Sequence, residues 1–255
     1  MGGILLASGA AGDVLQAGGL KGLEAFWRHL NDTGGIDGRR VQYVYYDSGY
    51  DAAKGAAVAK RLVEQDGVFA VVPGSDPFGM TGAVPYLESK GVPVFGADGY
   101  AKEEYESPVV FPTPPSGVRQ ARIQASYAVR DMKAQRIALL HNNSDISLYT
   151  IAAAEEQLKK MGVTPVEKQG IESDASDCTP QMLRIQSARA DLVLHTMNPT
   201  TLIYCMQAAS RAGFTPRWVG PAGARFDLVG NNVGPYSDGM IAQAGADALA
   251  KLVGK

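Results

Sequence analysis

Hydroxyl, carboxylate and aromatic side chains lie together directly after an apolar stretch at 68–72 of this 255-residue chain. Ser75, Asp76 and Phe78 occupy the segment between that stretch, which predicts a strand, and a predicted helix over 81–89. The polar groups and nearby backbone N–H groups can hydrogen-bond the head of a small molecule, while Phe78 packs against its body. The alternative is structural, because Ser75 or Asp76 at this place also suits a helix cap.

A second group of candidate ligand contacts follows the next predicted strand, over 92–95. Asp98 and Tyr100 flank Gly99, which permits close approach of the backbone to a ligand, and the Tyr100 ring offers a flat amphipathic surface. The same residues are also compatible with an Asp-Gly turn that binds nothing. Ser8 adds a hydroxyl at the turn after the first predicted strand.

Two loops in the second half of the chain have the same character. Asn143, Asp145 and Ser147 follow a predicted strand over 137–141, and Asn198 follows another predicted strand. Small polar side chains at a strand end suit hydrogen bonding to a ligand, and Asp145 is a candidate partner for a cationic group. Each loop is equally compatible with an ordinary polar loop that caps a helix.

The loop after a predicted strand over 217–220 completes the candidate ligand residues with Ala222 and Arg225. The Arg225 guanidinium can pair with a ligand carboxylate through two parallel hydrogen bonds. The alternative for Arg225 is a solvated surface side chain without a ligand.

Sequence signals of catalysis and metal binding are weak. The chain has neither a glycine-rich dinucleotide or phosphate fingerprint nor a nucleophile elbow. His141 and His195 end predicted strands, but no acidic or cysteine partner stands at metal-ligand spacing. We therefore expect a protein that is not an enzyme, with no catalytic residue, no metal and no cofactor.

Composition indicates a globular protein large enough for two domains. Hydrophobic residues make up 45 % and charged residues 20 % of the chain, and the formal net charge is −2. This balance gives no basic surface for nucleic acid and no polybasic membrane signal. No run reaches the roughly 18 apolar residues of a membrane span. No charged-then-apolar leader opens the sequence, which suits a mature exported protein and a cytosolic one equally.

The chain contains two cysteines, Cys178 and Cys205. We favour two free core thiols, because cysteine is among the residues most often buried. A disulfide stays open as the alternative, since both residues are expected near the starts of consecutive crossover helices on one face of a sheet.

Predicted strands and helices alternate with short connections, which indicates parallel α/β architecture. A proline cluster at 112–115 divides this pattern into two similar halves, because proline lacks a backbone donor and suits an extended crossover. The charged stretch 102–106 is expected to be a solvated connection. Ligands of such sheets bind at the carboxyl ends of the strands. The predicted helices span 15–31, 51–65, 81–89, 118–132, 148–161, 179–187 and 200–212.

One turn carries a family resemblance. Gly34–Arg40 (GGIDGRR) follows a predicted helix and precedes a strand ending in Asp47 and a matching segment over 51–66, which contains the predicted helix 51–65. Matching segments recur in order at Ser8-Gly9, 90–94, 136–140, 190–194, 211–214 and 238–240. In this order and spacing the chain resembles the branched-chain-amino-acid-type substrate-binding proteins of ABC importers, the type I periplasmic binding proteins.

The resemblance implies two Rossmann-like lobes, each with a parallel sheet, in a fold shortened at the C-terminus. Lobe I would span 1–112, with 243–255 returning to it as a helix, and lobe II would span 119–240. Crossovers would lie near 112–118 and 239–243.

The resemblance also implies a function. A monomeric periplasmic or extracellular protein would capture a small polar metabolite by hinge closure and deliver it to the membrane permease of an ABC importer. The alternative is a ligand-sensing module of a regulator or receptor with the same fold.

The ligand itself stays open. Relatives that hold α-amino acids meet the ammonium with a carboxylate, and by spacing that position falls on Ala222. A buried ammonium without a counter-charge costs several kcal/mol, so a plain amino acid is an unfavourable ligand unless Asp145 replaces the missing charge. Amides and aromatic or other carboxylic acids stand beside amino acids as candidates.

Overall fold

The computed structural model describes the backbone of residues 1–221 and 226–242. It also describes the side chains of these residues, except those at 9–18, 226–228 and 242. The chain divides into two compact units, the first covering Met1–Ser116 and the second beginning at Gly117. The division falls inside the proline-containing crossover expected at 112–118. In the described part of the chain, none of the helices has the length and apolar character needed to cross a bilayer.

The first unit contains a five-stranded parallel sheet. Its strands are β1 (Gly2–Leu5), β2 (Val44–Asp47), β3 (Val71–Ser75), β4 (Val94–Ala97) and β5 (Val110–Pro112), in the spatial order β2-β1-β3-β4-β5. Its helices are α1 (Gly9–Asp32), α2 (Ala52–Glu64), α3 (Pro77–Ser89) and the single turn α4 (Glu103–Glu106). Because the strands are parallel, their carboxyl ends form one edge of the sheet.

The core of the first unit joins the sheet to α2 and α3. Ile4 and Val71 from the strands pack in one cluster with Leu62 of α2 and Leu87 of α3, and all four are fully buried. Trp27 of α1 is also buried and stacks on Tyr43 with ring centroids 5.1 Å apart.

The charged stretch 102–106 differs from our expectation of a solvated connection. It contains α4, and the side chain of Glu104 is fully buried. The prediction was wrong because charge alone indicates exposure, whereas a carboxylate can be buried where backbone N–H groups meet it. Here the N–H of Ala101 donates to Glu104 Oε2 at 3.2 Å.

The second unit contains another five-stranded parallel sheet. Its strands are β6 (Ile137–Asn142), β7 (Glu167–Ile171), β8 (Leu192–Thr196), β9 (Arg217–Gly220) and β10 (Ile241–Ala242), in the order β10-β9-β8-β6-β7. The helices are α5 (Gly117–Arg130), α6 (Asp145–Lys160), α7 (Thr179–Ser187), α8 (Pro199–Arg211) and α9 (Phe226–Val233), followed by a 3₁₀ turn at Gly234–Ser237.

Strand β6 is buried on both faces. Ile137 and Leu139 pack into a cluster with residues of α5 and α6, whereas Ala138 and Leu140 pack into a second cluster with residues of α7 and α8. A strand segment covered on both sides needs apolar residues at successive positions, which explains the apolar sequence of residues 137–140 before the buried polar residues His141 and Asn142 end the strand.

The end of the second unit departs from the expected crossover at 239–243. Ile241 pairs with Val219 and Ala242 pairs with Gly220, so β10 extends the second sheet. The helix predicted over 243–255 lies outside the described residues.

Three helices begin at least three residues earlier than predicted: α1 at Gly9 instead of 15, α3 at Pro77 instead of 81 and α6 at Asp145 instead of 148. Helix α3 begins at Pro77 because Asp76 caps it and proline suits the first position, and α6 begins at Asp145 because Ser144 accepts from the N–H of Ser147. Phe78 and Ser147, expected in loops, therefore lie in first helical turns.

The two cysteines form a disulfide, so the expectation of free thiols was wrong and the alternative holds. Cys178 caps α7 and Cys205 lies within α8, and both side chains are fully buried. The bond closes a chain segment with a sequence separation of 27. Both helices pack in the same core cluster of the second unit, which brings the sulfur atoms together.

Candidate functional site

Asp76 organises the carboxyl edge of the first sheet. Its Oδ1 accepts hydrogen bonds from the N–H groups of Phe78 and Gly79, at 3.1 and 3.0 Å. Its Oδ2 accepts from the Ser48 hydroxyl at 2.6 Å and the Tyr50 N–H at 2.9 Å. The carboxylate is fully buried, and four donors satisfy it. Asp76 therefore follows the capping alternative, and it holds the loops after β2 and β3 in place rather than presenting its charge to a ligand.

Asp98 at the end of β4 has a different environment. The Ser75 hydroxyl donates to its two oxygens at 3.1 and 3.4 Å. Burial raises the pKa of Asp98 to about 6, the Ser75 hydrogen bond acts in the opposite direction, and the nearby Asp76 charge raises it further. The structure thus brings together Ser75 and Asp98, two of the predicted ligand residues.

Glu104 lies behind the Asp98 loop. Burial raises its pKa to about 7, and the charge of Asp98 contributes in the same direction. Its Oε1 has no hydrogen-bond partner among the described residues. Sequence reasoning missed Glu104 because it treated the surrounding charge run as solvated.

Two aromatic rings flank these carboxyl groups. The Tyr50 and Phe78 ring centroids lie 4.3 Å apart with the planes tilted by 53°. Burial raises the pKa of the Tyr50 hydroxyl, and the charges of Asp76 and Asp98 raise it further. Tyr100 is half-buried, and its charge also raises the pKa of Tyr50. Sequence reasoning missed Tyr50, although its position directly after a strand and a Ser-Gly pair was a usable signal.

Ser8 and Gly99 complete the predicted residues of the first unit. Ser8 is exposed at the start of α1, and its hydroxyl hydrogen-bonds Asp47. Burial acts to raise the pKa of Asp47, but hydrogen bonds from Ser8 and from the Ala7 and Gly49 N–H groups hold it below its usual value. Gly99 is buried, with a positive φ of 75°.

In the second unit, Ser147 and Asn198 bond to the protein itself. The Ser147 hydroxyl donates to the Thr196 carbonyl at 2.8 Å, and the Asn198 side chain donates to the Ser173 carbonyl at 2.9 Å. The Asn198 N–H donates to Asn142 Oδ1 at 2.7 Å. These contacts tie the ends of β6 and β8 together, so both predicted residues have structural partners.

The other predicted residues of the second unit are spread out. Asn143 and Asp145 are exposed, and the Asn143 amide donates to Glu172 at 2.7 Å. Ala222 and Arg225 lie outside the described residues. Asn142, which we had not predicted, is buried, and its Nδ2 has no partner in the described part of the chain.

His195 at the end of β8 is fully buried against β9. A Cβ placed on Gly220 would lie 2.0 Å from His195 Nε2, so only glycine fits beside the ring. Nδ1 faces the Met197 N–H at 3.4 Å, and Nε2 lacks a partner among the described residues. Burial lowers the pKa of His195 to about 3, so the imidazole is neutral at physiological pH.

We expect His195 to weaken the fold in acid. The unfolded chain protonates this histidine near pH 6.5, whereas the folded protein resists protonation until about pH 3, so its contribution to stability falls across that window. Between pH 7 and pH 5 the wild type should lose about 2 kcal/mol relative to His195→Gln. Urea unfolding followed by Trp218 fluorescence measures the difference. Asp98 and Glu104, whose pKa values are raised, change stability with pH in the opposite direction, but this change is the same in the wild type and in His195→Gln and cancels in the comparison. If the unfolding free energies of the two proteins run parallel between pH 7 and pH 5, the expectation is wrong.

Potential metal ligands are dispersed. Within residues 1–221 and 226–242, no group of three or more His, Cys, Asp or Glu side chains is arranged to hold a metal ion.

The fold and the strand ends define the class of protein. Two parallel α/β units, each with polar side chains at the carboxyl edge of its sheet, match the architecture of bilobal ligand-binding proteins. A periplasmic binding protein family model matches residues 1–252, and the chain belongs to that family.

Individual relatives agree with this assignment. The chain is 25 % identical over 242 residues to the Leu/Ile/Val-binding protein of Escherichia coli K12, covering 91 % of this chain and 64 % of the relative. The chain therefore spans less than two thirds of the length of that relative.

Solved structures share the fold. A leucine-binding protein from Thermotoga maritima superposes with a TM-score of 0.83 at 16 % identity, covering 100 % of this chain and 76 % of that one. A solute-binding protein of an ABC transporter from R. palustris, in complex with benzoate, gives a TM-score of 0.79 at 16 % identity, covering 94 % and 66 %.

Proposed function

We propose that this chain captures a small polar metabolite outside the cytoplasm and delivers it to an ABC importer. Its two units would close around the ligand, and the closed form would dock on the membrane permease. In this proposal the chain acts as a monomer, without catalytic activity, cofactor or nucleic-acid partner.

The carboxyl edge of the first sheet carries the proposal. Ser75, Asp98 and the Tyr50–Phe78 pair combine hydrogen-bonding groups with aromatic surface, and Tyr50 remains 41 % exposed. Ligand sites of proteins typically pair such apolar surface with a few placed polar groups. Asp76 keeps this edge in shape through its four hydrogen bonds, so the site needs little rearrangement before a ligand arrives.

The disulfide supports the proposed location. Disulfides persist in oxidising compartments such as the periplasm and the extracellular space, and they are rare in the cytosol of most organisms. Cys178 and Cys205 are buried in the core of the second unit, where the bond is part of the packing.

Closure would require ligand contacts that form in the closed state and are absent from the open state. A ligand shifts a conformational equilibrium only by its difference in affinity for the two states, so contacts supplied by the second unit would determine closure and selectivity. Exposed polar groups such as Asn143 and Asp145 at the strand ends of that unit are available for this role.

A thermal-shift screen tests ligand capture. The panel contains amino acids, amides, aromatic acids and small diacids, and a ligand at a hundredfold excess over Kd stabilises the native protein by about 2.7 kcal/mol. Small-angle scattering of any hit tests closure as a decrease in radius of gyration. A cooperatively melting protein that responds to no member of the panel would contradict the proposal.

Transport and sensing are separated by a second experiment. Uptake of the hit into vesicles bearing the cognate permease should depend on this protein. Ligand-dependent dimerisation without stimulated uptake would identify a sensing module instead.

A further inference from the structure

The carboxyl groups at the strand ends of the first unit differ in how many donors they receive. Asp76 accepts four hydrogen bonds, as described above. In the described part of the chain, Asp98 receives one side-chain donor, the Ser75 hydroxyl, which is shared between its two oxygens. An ionised carboxylate offers about four acceptor positions, so Asp98 has capacity for further donors.

Glu104, in the buried layer behind Asp98, also has one carboxylate oxygen without a donor. Its side chain is fully buried. The Ala101 N–H donates to Oε2 at 3.2 Å, and backbone hydrogen bonds from Gly99 and Tyr100 also lower the pKa of this carboxyl group against the larger effect of burial. Oε1, by contrast, has no partner among the described residues. A buried carboxylate oxygen without a donor is costly, so a bound group that supplies an N–H donor to Oε1 would relieve that cost.

The local charge favours the same kind of ligand group. The negative charge of Asp76 raises the pKa of Asp98, and the negative charge of Asp98 raises the pKa of Glu104. The nearby lysine, Lys54, acts on Asp47 at the end of β2. An anionic ligand group placed at Asp98 would therefore meet like charge, which disfavours its binding.

We propose that the Ser75–Asp98 pair, backed by Glu104, recognises a ligand group that donates N–H hydrogen bonds and carries no negative charge. Amides, ureas and amidinium or guanidinium groups have this chemistry. The Tyr50–Phe78 pair would contact the planar body of such a group. This inference rests on the proposed ligand-binding function. It predicts that ligands with a carboxylate group bind at this edge more weakly than ligands with uncharged or cationic N–H donors.

Three isosteric probes test the assignment by titration calorimetry at pH 8. Benzamidine, benzamide and benzoate share one ring and differ in charge and in donor content, and acetamidine, acetamide and acetate form a smaller matched set. We expect the amidinium to bind most tightly and the carboxylate least tightly. Comparison of the amide with the amidinium shows whether N–H donors suffice or a positive charge is required.

Asp98→Asn tests the carboxylate directly. Loss of a charge-assisted hydrogen bond should reduce the ratio of amidinium to carboxylate affinity by about 10- to 100-fold. Glu88→Gln, an exposed substitution on the last turn of α3 with the same change in net charge, should leave the ratio unchanged. A ratio that is equal in Asp98→Asn and the wild type would overturn the proposal.

Acidification supplies a test that needs no variant. The titratable groups that interact with Asp98 are Asp76, Glu104 and Tyr50, and Tyr50 in turn interacts with Tyr100. At pH 5, one unit below its pKa of about 6, Asp98 is mostly protonated, and amidinium affinity should fall about tenfold from its value at pH 8. An affinity that does not change over this range contradicts the role of Asp98.

The outcomes separate the two proposals. Binding of carboxylates or amino acids, with no binding of amides or amidines, would overturn this inference and leave the proposed function intact. Failure of every probe and of the whole thermal-shift panel would overturn both.

Discussion

Replacement of Gly55 by alanine should destabilise the first unit by about 3 kcal/mol. Gly55 of α2 lies so close to α3 that an added Cβ would be 1.9 Å from the Gly79 carbonyl oxygen. A backbone oxygen cannot rotate away, and non-bonded atoms need about 3.5 Å, so the two helices must separate. Urea unfolding followed by Trp27 fluorescence measures the loss, because Trp27 lies in the first unit.

Gly22→Ala is the matched control. Gly22 lies inside α1, and a Cβ there meets nothing within 4 Å. Alanine has the higher helix propensity, so this variant should be more stable by up to about 1 kcal/mol. If Gly55→Ala is as stable as Gly22→Ala, α2 and α3 do not pack as closely as the structure has them.

The close approach of α2 and α3 also matters for ligand binding. Gly79 follows the Asp76 cap, and Asp76 holds the loop that carries Tyr50 and the first turn of α3 that carries Phe78. Separation of the helices would displace this edge, so Gly55→Ala should bind any identified ligand more weakly than Gly22→Ala at a temperature where both are folded.

Removal of the disulfide should destabilise the second unit by about 3.5 kcal/mol. A closed segment with a separation of 27 residues restricts the unfolded chain, and the chain-entropy model gives this magnitude for such a loop. The double substitution Cys178→Ala and Cys205→Ala removes the bond without leaving a reactive thiol. Unfolding followed by Trp218, which lies in the second unit, measures the effect.

The reductant provides the control for this prediction. Dithiothreitol present during unfolding should lower the stability of the wild type toward that of the double variant and leave the double variant unchanged. Equal stability of the oxidised wild type and the double variant would contradict a stabilising bond.

Local sequence predicted most of the elements because each depends on short-range patterns. The apolar runs of β6 and β8 predict buried strands, and the alternation with amphipathic helices predicts parallel sheets. Thr179-Pro180 predicts the start of α7, which begins there. The helix starts at Pro77 and Asp145 were missed because a Pro-Phe-Gly-Met or Asp-Ile-Ser segment resembles a loop until its cap is known.

The candidate site was predictable as a set of loops and not as a set of contacts. Ser75 and Asp98 stood out because polar residues follow apolar strands, and the structure places them in hydrogen-bond contact. Whether Asp76 would cap a helix or face a ligand depended on where Ser48 and Tyr50 lay, 28 and 26 residues earlier in the chain.

The sequence alone determined the two-unit α/β architecture and the family, because strand and helix periodicity and the spacing of turn motifs are local properties of the chain. Only the tertiary structure decided that the cysteines are bonded, that Glu104 is buried and that, among the described residues, the Ser75 hydroxyl is the side-chain donor to Asp98. Burial and hydrogen-bond partners depend on residues distant in sequence, and the same side chain is a solvated charge or a buried acceptor according to what packs around it.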